Sequence, residues 1–258
     1  MKKESFTSFM KQVAADLQQS GNLGTAHVYR SSLNAILVFQ ESESVEFREI
    51  TPEWLKHFEG SLRARGCSWN TVSTYLRTMR AVYNRAVDLH RAPYVPHLFR
   101  SVYTGTRADR RRALDMEDMK KVFARLLQSA AIPPGMRGAQ ELFILMFLLR
   151  GLPFVDLAYL RKSDLRGMSL LTVATKRVVR FGDVDAGSHV PLAEVYEPCK
   201  RSPYLFPILR SAEGSPEAYR EYQLALRHFN YQLELLGRFL GLKDRLSSYT
   251  AKHHTISI

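Results

Sequence analysis

The sequence predicts a mainly α-helical protein of two units with one small β-hairpin, and three observations predict it. Apolar residues recur at helical spacing through most of the chain. A break followed by a polar, arginine-rich stretch interrupts that pattern after residue 90. Only residues 169–184 alternate or run β-branched in the manner of strands. With 258 residues and 45% hydrophobic content, the chain is long enough to bury two modest cores.

Four helices are expected in the first unit, residues 1–103. The first runs over Phe6 to Gln19 and turns Phe6, Phe9, Met10, Val13 and Leu17 inward. The second covers Thr25 to Gln40. The third, Thr51 to Arg65, opens on Thr51-Pro52-Glu53: an N-cap, a proline at the first helical position and an acid near the positive end of the helix dipole. The fourth, Asn70 to His90, carries an apolar stripe of Val72, Tyr75, Leu76, Met79, Val82, Tyr83, Ala86 and Val87. Ser73, Arg77, Arg80 and Asn84 fall together on one flank of that stripe and Arg85 on the other.

Arg91-Ala92-Pro93-Tyr94-Val95-Pro96 ends the helical pattern, and residues 104–112 read as a basic linker. The second unit, residues 113–258, begins at Leu114-Asp115-Met116, with Asp115 as N-cap and Leu114 and Met119 spaced to staple the helix start. After Pro133-Pro134-Gly135 comes an apolar helix over Glu141 to Arg150, a turn at Gly151-Leu152-Pro153 and a short helix over Phe154 to Arg161. Ser169 to Ala174 and Val178 to Val184 form the hairpin, and helix returns beyond it.

The charge is one-sided. Lys and Arg number 37 against 25 Asp and Glu, a net charge of +12. Residues 61–112 hold eleven arginines, no lysine and only Asp88 and Asp109, which accounts for +9 of that total. Arginine presents a planar fork that binds phosphate oxygens in pairs and stays charged at any relevant pH. A merely soluble helix face would mix lysine with glutamate. Nucleic acid is therefore the first candidate partner, through Arg63, Arg65, Arg77, Arg80, Arg110, Arg111 and Arg112. An acidic membrane surface is the second, but the longest apolar run, Leu142 to Leu149, is far short of the roughly 20 residues of a bilayer span. Cys67 and Cys199 are far apart and lack metal-ligand spacing, which fits a reduced, cytoplasmic setting. His253 and His254 adjoin without a third ligand, so no metal site is expected.

Arg150-Gly151-Leu152-Pro153-Phe154-Val155-Asp156-Leu157-Ala158-Tyr159-Leu160, followed by Ser163-Asp164-Leu165, resembles the first catalytic box of the tyrosine recombinases, or phage-type integrases. The hairpin with Lys176, Tyr204-Leu205-Phe206-Pro207-Ile208-Leu209, and Leu246-Ser247-Ser248-Tyr249-Thr250-Ala251-Lys252-His253 follow in the family's order. The four-helix unit is similar to the family's SAM-like core-binding domain. The resemblance implies a helical catalytic domain in which two arginines clamp a DNA phosphate, a lysine protonates the leaving oxygen and a tyrosine attacks, with no cofactor.

Carried onto this chain, Arg150 takes the first-arginine role, directly before the glycine as in an invertase-like branch of the family. Without the resemblance it reads as a cation at a helix C-terminus. Lys176 takes the leaving-group role, with Arg177 and Arg180 as alternative registers and an ordinary hairpin lysine as the bland reading. Lys252 and His253 occupy the second box, where lysine replaces the forked arginine. No tyrosine follows His253, so the nucleophile is absent from these 258 residues and the chain reads as C-terminally shortened. The expectation is a bacterial-type, nucleoid-associated protein that binds double-stranded DNA at inverted-repeat sites, self-associates there and does not cleave. The alternatives are a non-catalytic regulator on the recombinase scaffold and a general basic RNA or duplex binder.

Overall fold

A computed structural model describes residues 4–42, 44–106, 114–124, 132–149, 151–166, 169–172, 177–180 and 202–253. The chain divides into two compact units, Met1–Asp109 and Arg110–Ile258.

The first unit is built on α1 (Phe6–Gln19), α2 (Leu23–Gln40), α3 (Pro52–Ala64) and α4 (Trp69–Asp88), with a 3-10 turn at Phe47–Glu49. Each start has a local cause except that of α2, whose N-cap Asn22 makes no side-chain cap. Ser5, Thr51 and Ser68 accept hydrogen bonds from Ser8, Trp54 and Thr71 N–H at the starts of α1, α3 and α4, satisfying donors that have no helical partner. The apolar stripes converge on one core containing Phe6, Phe9, Met10, Ile36, Leu55, Phe58, Leu76 and Met79. The chain after α4 adds Leu98, Phe99 and Val102 to that core. Glu59, 4% exposed, secures the return by accepting from Tyr103 N–H at 2.6 Å.

The second unit contains α5 (Met116–Ala124), α6 (Pro134–Leu148), α7 (Phe154–Tyr159), α8 (Pro216–Phe239) and 3-10 turns at Lys162–Asp164 and Thr250–His253. Asp115 Oδ1 accepts from Asp118 N–H at 2.7 Å, and Leu114 and Met119 are both buried, as the staple requires. Helix α6 begins seven residues earlier than the expected Glu141, because Pro134 sits at its first turn and starts the helix there. The expected hairpin is present as β2 (Ser169–Thr172) and β3 (Arg177–Arg180), antiparallel with Leu170 opposite Val179. A short β1 (Leu165–Arg166) extends it to a three-stranded sheet of order β1-β2-β3. The core joins Phe143, Ile144 and Met146 of α6, Leu157 of α7, and Phe229, Leu233 and Leu236 of α8. No helix among the described residues is long and apolar enough to cross a membrane.

Candidate nucleic-acid interface

Helix α4 divides its residues sharply between two faces. Val72, Leu76, Met79, Val82 and Ala86 are at most 1% exposed, while Thr74, Arg77, Arg80, Ala81 and Asn84 stand in solvent. The exposed set recurs at helical spacing and lines a shallow groove of roughly 530 Å³ together with Thr78 and, from α2, Tyr29. Two guanidiniums, an amide, hydroxyls and one phenol make a surface of hydrogen-bond donors and positive charge without an acid in it. Among the described residues, neither Arg77 nor Arg80 has an ion-pair partner, whereas Arg85 on the other flank lies 3.8 Å from Asp16 and Arg91 lies 2.9 Å from Glu4. An arginine without an internal partner keeps its full pairing capacity for an external phosphate.

Ser73 corrects the reading from sequence. It lies next to this flank on the helix but is 2% exposed, so it cannot line the groove. Tyr29 is the residue that sequence periodicity missed, since its place beside α4 follows from the packing of α2 on α4 and has no local signature. Arg63 donates to the Cys67 carbonyl and lies 4.6 Å from the centre of the Trp69 ring, held in a cation–π contact at the first turn of α4. That is about 12 Å along the helix from Arg77. Arg65 is exposed at the C-terminal end of α3. Arg110, Arg111 and Arg112 lie outside the described residues.

In the second unit, Arg150 and Lys176 also lie outside the described residues, as do the side chains of Lys252 and His253. The backbone that carries the boxes is described. Helix α6 ends at Leu148, with Gly151 at φ 76° donating to the Met146 carbonyl at 3.0 Å, a left-handed closure that favours glycine. The 3-10 turn containing Lys252 and His253 packs on α6, with Ala251 1% exposed. Its approach is fixed by Asn230 Oδ1, which accepts from Ser248 N–H at 2.8 Å. It is fixed also by Gly237, where a β-carbon would stand 3.3 Å from Leu246 Cβ. Leu205 N–H donates to the Leu160 carbonyl at 2.7 Å, joining the 204–209 segment to the tail of the first box.

The described tyrosines of this unit divide between structure and surface. Tyr204 is 2% exposed and donates its hydroxyl to the Ser211 carbonyl at 2.9 Å. Burial pushes the Tyr159 hydroxyl up to about 12 and raises that of Tyr222, the reverse of what an attacking phenolate needs. Tyr219 accepts from Gln223 at 3.1 Å, while Tyr231 and Tyr249 are exposed.

Comparison with known proteins bears on both units. Residues 5–96 match the phage integrase SAM-like domain family. Over 95% of its length the chain is similar in fold to a lambda integrase dimer bound to a COC′ core site, at TM-score 0.59 and 15% identity, covering 67% of that chain. A lambda integrase tetramer bound to a Holliday junction is similar over 98% of this chain and 80% of its own, at TM-score 0.54 and 15% identity. No curated protein matches the sequence.

Proposed function

We propose that the chain is a tyrosine recombinase-type protein, a reading supported by the phage integrase SAM-like domain at residues 5–96 and the integrase-like fold, and that it binds double-stranded DNA at inverted-repeat sites, with the exposed face of α4 as its main contact. Arg77 and Arg80 contact phosphate or guanine edges there, Asn84 and Tyr29 supply further polar contacts, and Arg63, Arg65, Arg110, Arg111 and Arg112 extend the phosphate track. The observation that carries the reading is the acid-free groove holding two arginines that have no ion-pair partner among the described residues. Copies of the chain meet on the DNA, a reading that the dimeric and tetrameric integrase complexes support.

In this reading the second unit holds the phosphate for strand exchange. Arg150 and Lys252 form the clamp, His253 orients the phosphate and Lys176 faces the leaving oxygen. The 258-residue chain binds without cleaving. Lysine at 252 supplies charge without arginine's two-pronged grip, and burial raises the hydroxyls of Tyr159, Tyr204 and Tyr222, away from what a nucleophile needs.

Fluorescence anisotropy over a salt series tests the binding, with log affinity expected to fall linearly in log salt. Affinity indifferent to salt would overturn it. A nicked suicide duplex tests the rest: a covalent adduct surviving denaturing electrophoresis would overturn the absence of cleavage. A second reading, a non-catalytic regulator on this scaffold, is favoured by Lys252. It predicts site-selective binding that changes transcription with no recombination.

A further inference from the structure

The exposed face of α4 continues into a second groove of roughly 420 Å³, which shares Arg80 and Asn84 with the first. It differs from the first in carrying an exposed aromatic ring, that of Tyr94. Val87 and Val95 give it apolar ground beside the ring of Tyr94, Arg80 and Arg100 supply charge, His97 and Thr104 add polar groups, and no acidic residue is among the described residues that line it. Tyr94 belongs to the same lining and is 75% exposed, the highest value among the exposed large apolar side chains of the described residues.

The segment that bears Tyr94 is pinned on both sides. Tyr83 donates its hydroxyl to the Pro93 carbonyl at 3.1 Å, and Leu98 and Phe99 are buried in the core of the unit. Pro93 and Pro96 further restrict the backbone between those anchors. An aromatic ring standing in water on a backbone anchored at both sides, beside two guanidiniums that have no ion-pair partner among the described residues, is placed to meet a ligand at a reduced ordering cost for the backbone. The ligand must offer anionic groups to the arginines and a flat apolar face to the ring. Paired duplex offers the first but hides its base faces in the stack. An unpaired nucleotide offers both.

We propose that this second groove binds an unpaired nucleotide of single-stranded DNA, with Tyr94 stacked on the base and Arg80 and Arg100 on the flanking phosphates. The proposal rests on the DNA-binding reading above and adds a site for a different state of the DNA.

The test uses the full chain, a labelled oligothymidine of about 12 nucleotides, within the range of known single-strand site sizes, and a labelled duplex. Tyr94→Ala is expected to weaken oligothymidine binding by about fivefold to a hundredfold, the loss of one stacked base. Duplex affinity should stay within about twofold, and Tyr94→Phe should retain the oligothymidine affinity. Arg77→Ala, which touches only the first groove, should show the opposite pattern. Oligothymidine binding indifferent to Tyr94→Ala, or an equal loss on both ligands, overturns the proposal. Loss of duplex binding by the unaltered chain strikes the broader reading instead. Photocrosslinking of an iodouridine-substituted oligonucleotide to the unaltered chain gives a readout free of any folding defect. An adduct at Tyr94 supports the site, and adducts confined to other residues overturn it.

Discussion

Ser73 separates stability from binding in one substitution. It lies on α4 next to the groove residues, yet it is 2% exposed and its hydroxyl has no hydrogen-bond partner among the described residues. A buried hydroxyl without a partner costs roughly 1–3 kcal/mol relative to its hydrated state. Replacing the hydroxyl with hydrogen removes that cost and gains about 0.5 kcal/mol of helix propensity. Against this stands a little dispersion, about 0.1–0.2 kcal/mol for each neighbouring atom that the oxygen touches. Ser73→Ala should therefore stabilise the first unit by about 1 kcal/mol, the low end of the range once that dispersion is subtracted. In urea unfolding followed by circular dichroism this moves the midpoint up by about 0.5 M for a slope of about 2 kcal/mol/M. Duplex affinity should stay within about twofold, since the residue cannot reach the DNA. A destabilised variant would show that the hydroxyl is satisfied in solution. A tenfold drop in affinity would place Ser73 on the binding face after all.

Arg80→Ala should weaken duplex binding and flatten the salt dependence of log affinity by about 0.9 for each phosphate that the arginine neutralises, which a titration series from low to physiological salt measures. Glu221 accepts from Arg210 N–H at 2.8 Å, Ser211 N–H at 3.1 Å and Ser211 Oγ at 2.8 Å, and the backbone donor of Arg210 is the largest influence holding its pKa below the ordinary 4.5. A lowered carboxylate contributes stability above its unfolded value and loses it as pH falls through its folded value, so the advantage of the unaltered chain over Glu221→Gln should be full at pH 7 and fade below about pH 4.5 in denaturant titrations. Tyr204→Phe removes the hydroxyl bond to Ser211 and should cost about 1 kcal/mol in thermal or chemical unfolding. It should leave duplex affinity unchanged, as expected of a core tyrosine.

The helix starts and stripes of the first unit were legible because each has a local cause. Thr51 with Pro52 announces α3, and the spacing of Val72, Leu76 and Met79 announces the inward face of α4. The start of α6 was misplaced because Pro133-Pro134-Gly135 carries two meanings: the same prolines that break a helix from within begin one from its first turn. Ser73 was misplaced for a different reason. A single helix shows the direction in which a residue points but not how far its neighbours reach around it. The packing of α1 and α2 on α4 decides which flanking positions stay wet. Tyr29 was illegible for the same cause, since two helices must meet before it and Arg77 can share a groove.

The segments that resemble the recombinase boxes stand out in the sequence as ordered motifs, and the structure shows what fixes the backbone of the last of them. Leu246 and Ala251 are buried, Ser248 is tied to Asn230, and Gly237 leaves the space that Leu246 approaches. These residues set the path of the backbone that carries Lys252 and His253 against α6, whatever side chain stands at 252. In the proposed reading, the lysine at that position is a change of chemistry on a kept framework. Residue 252 stays where the packing puts it, and what differs is the hand it extends: one ammonium with three rotating donors in place of a flat fork matched to two phosphate oxygens. Framework packing of this kind holds for a chain that exchanges strands and for one that only occupies a site. Of the two readings, the one that applies is decided by what position 252 does to a phosphate rather than by the fold around it.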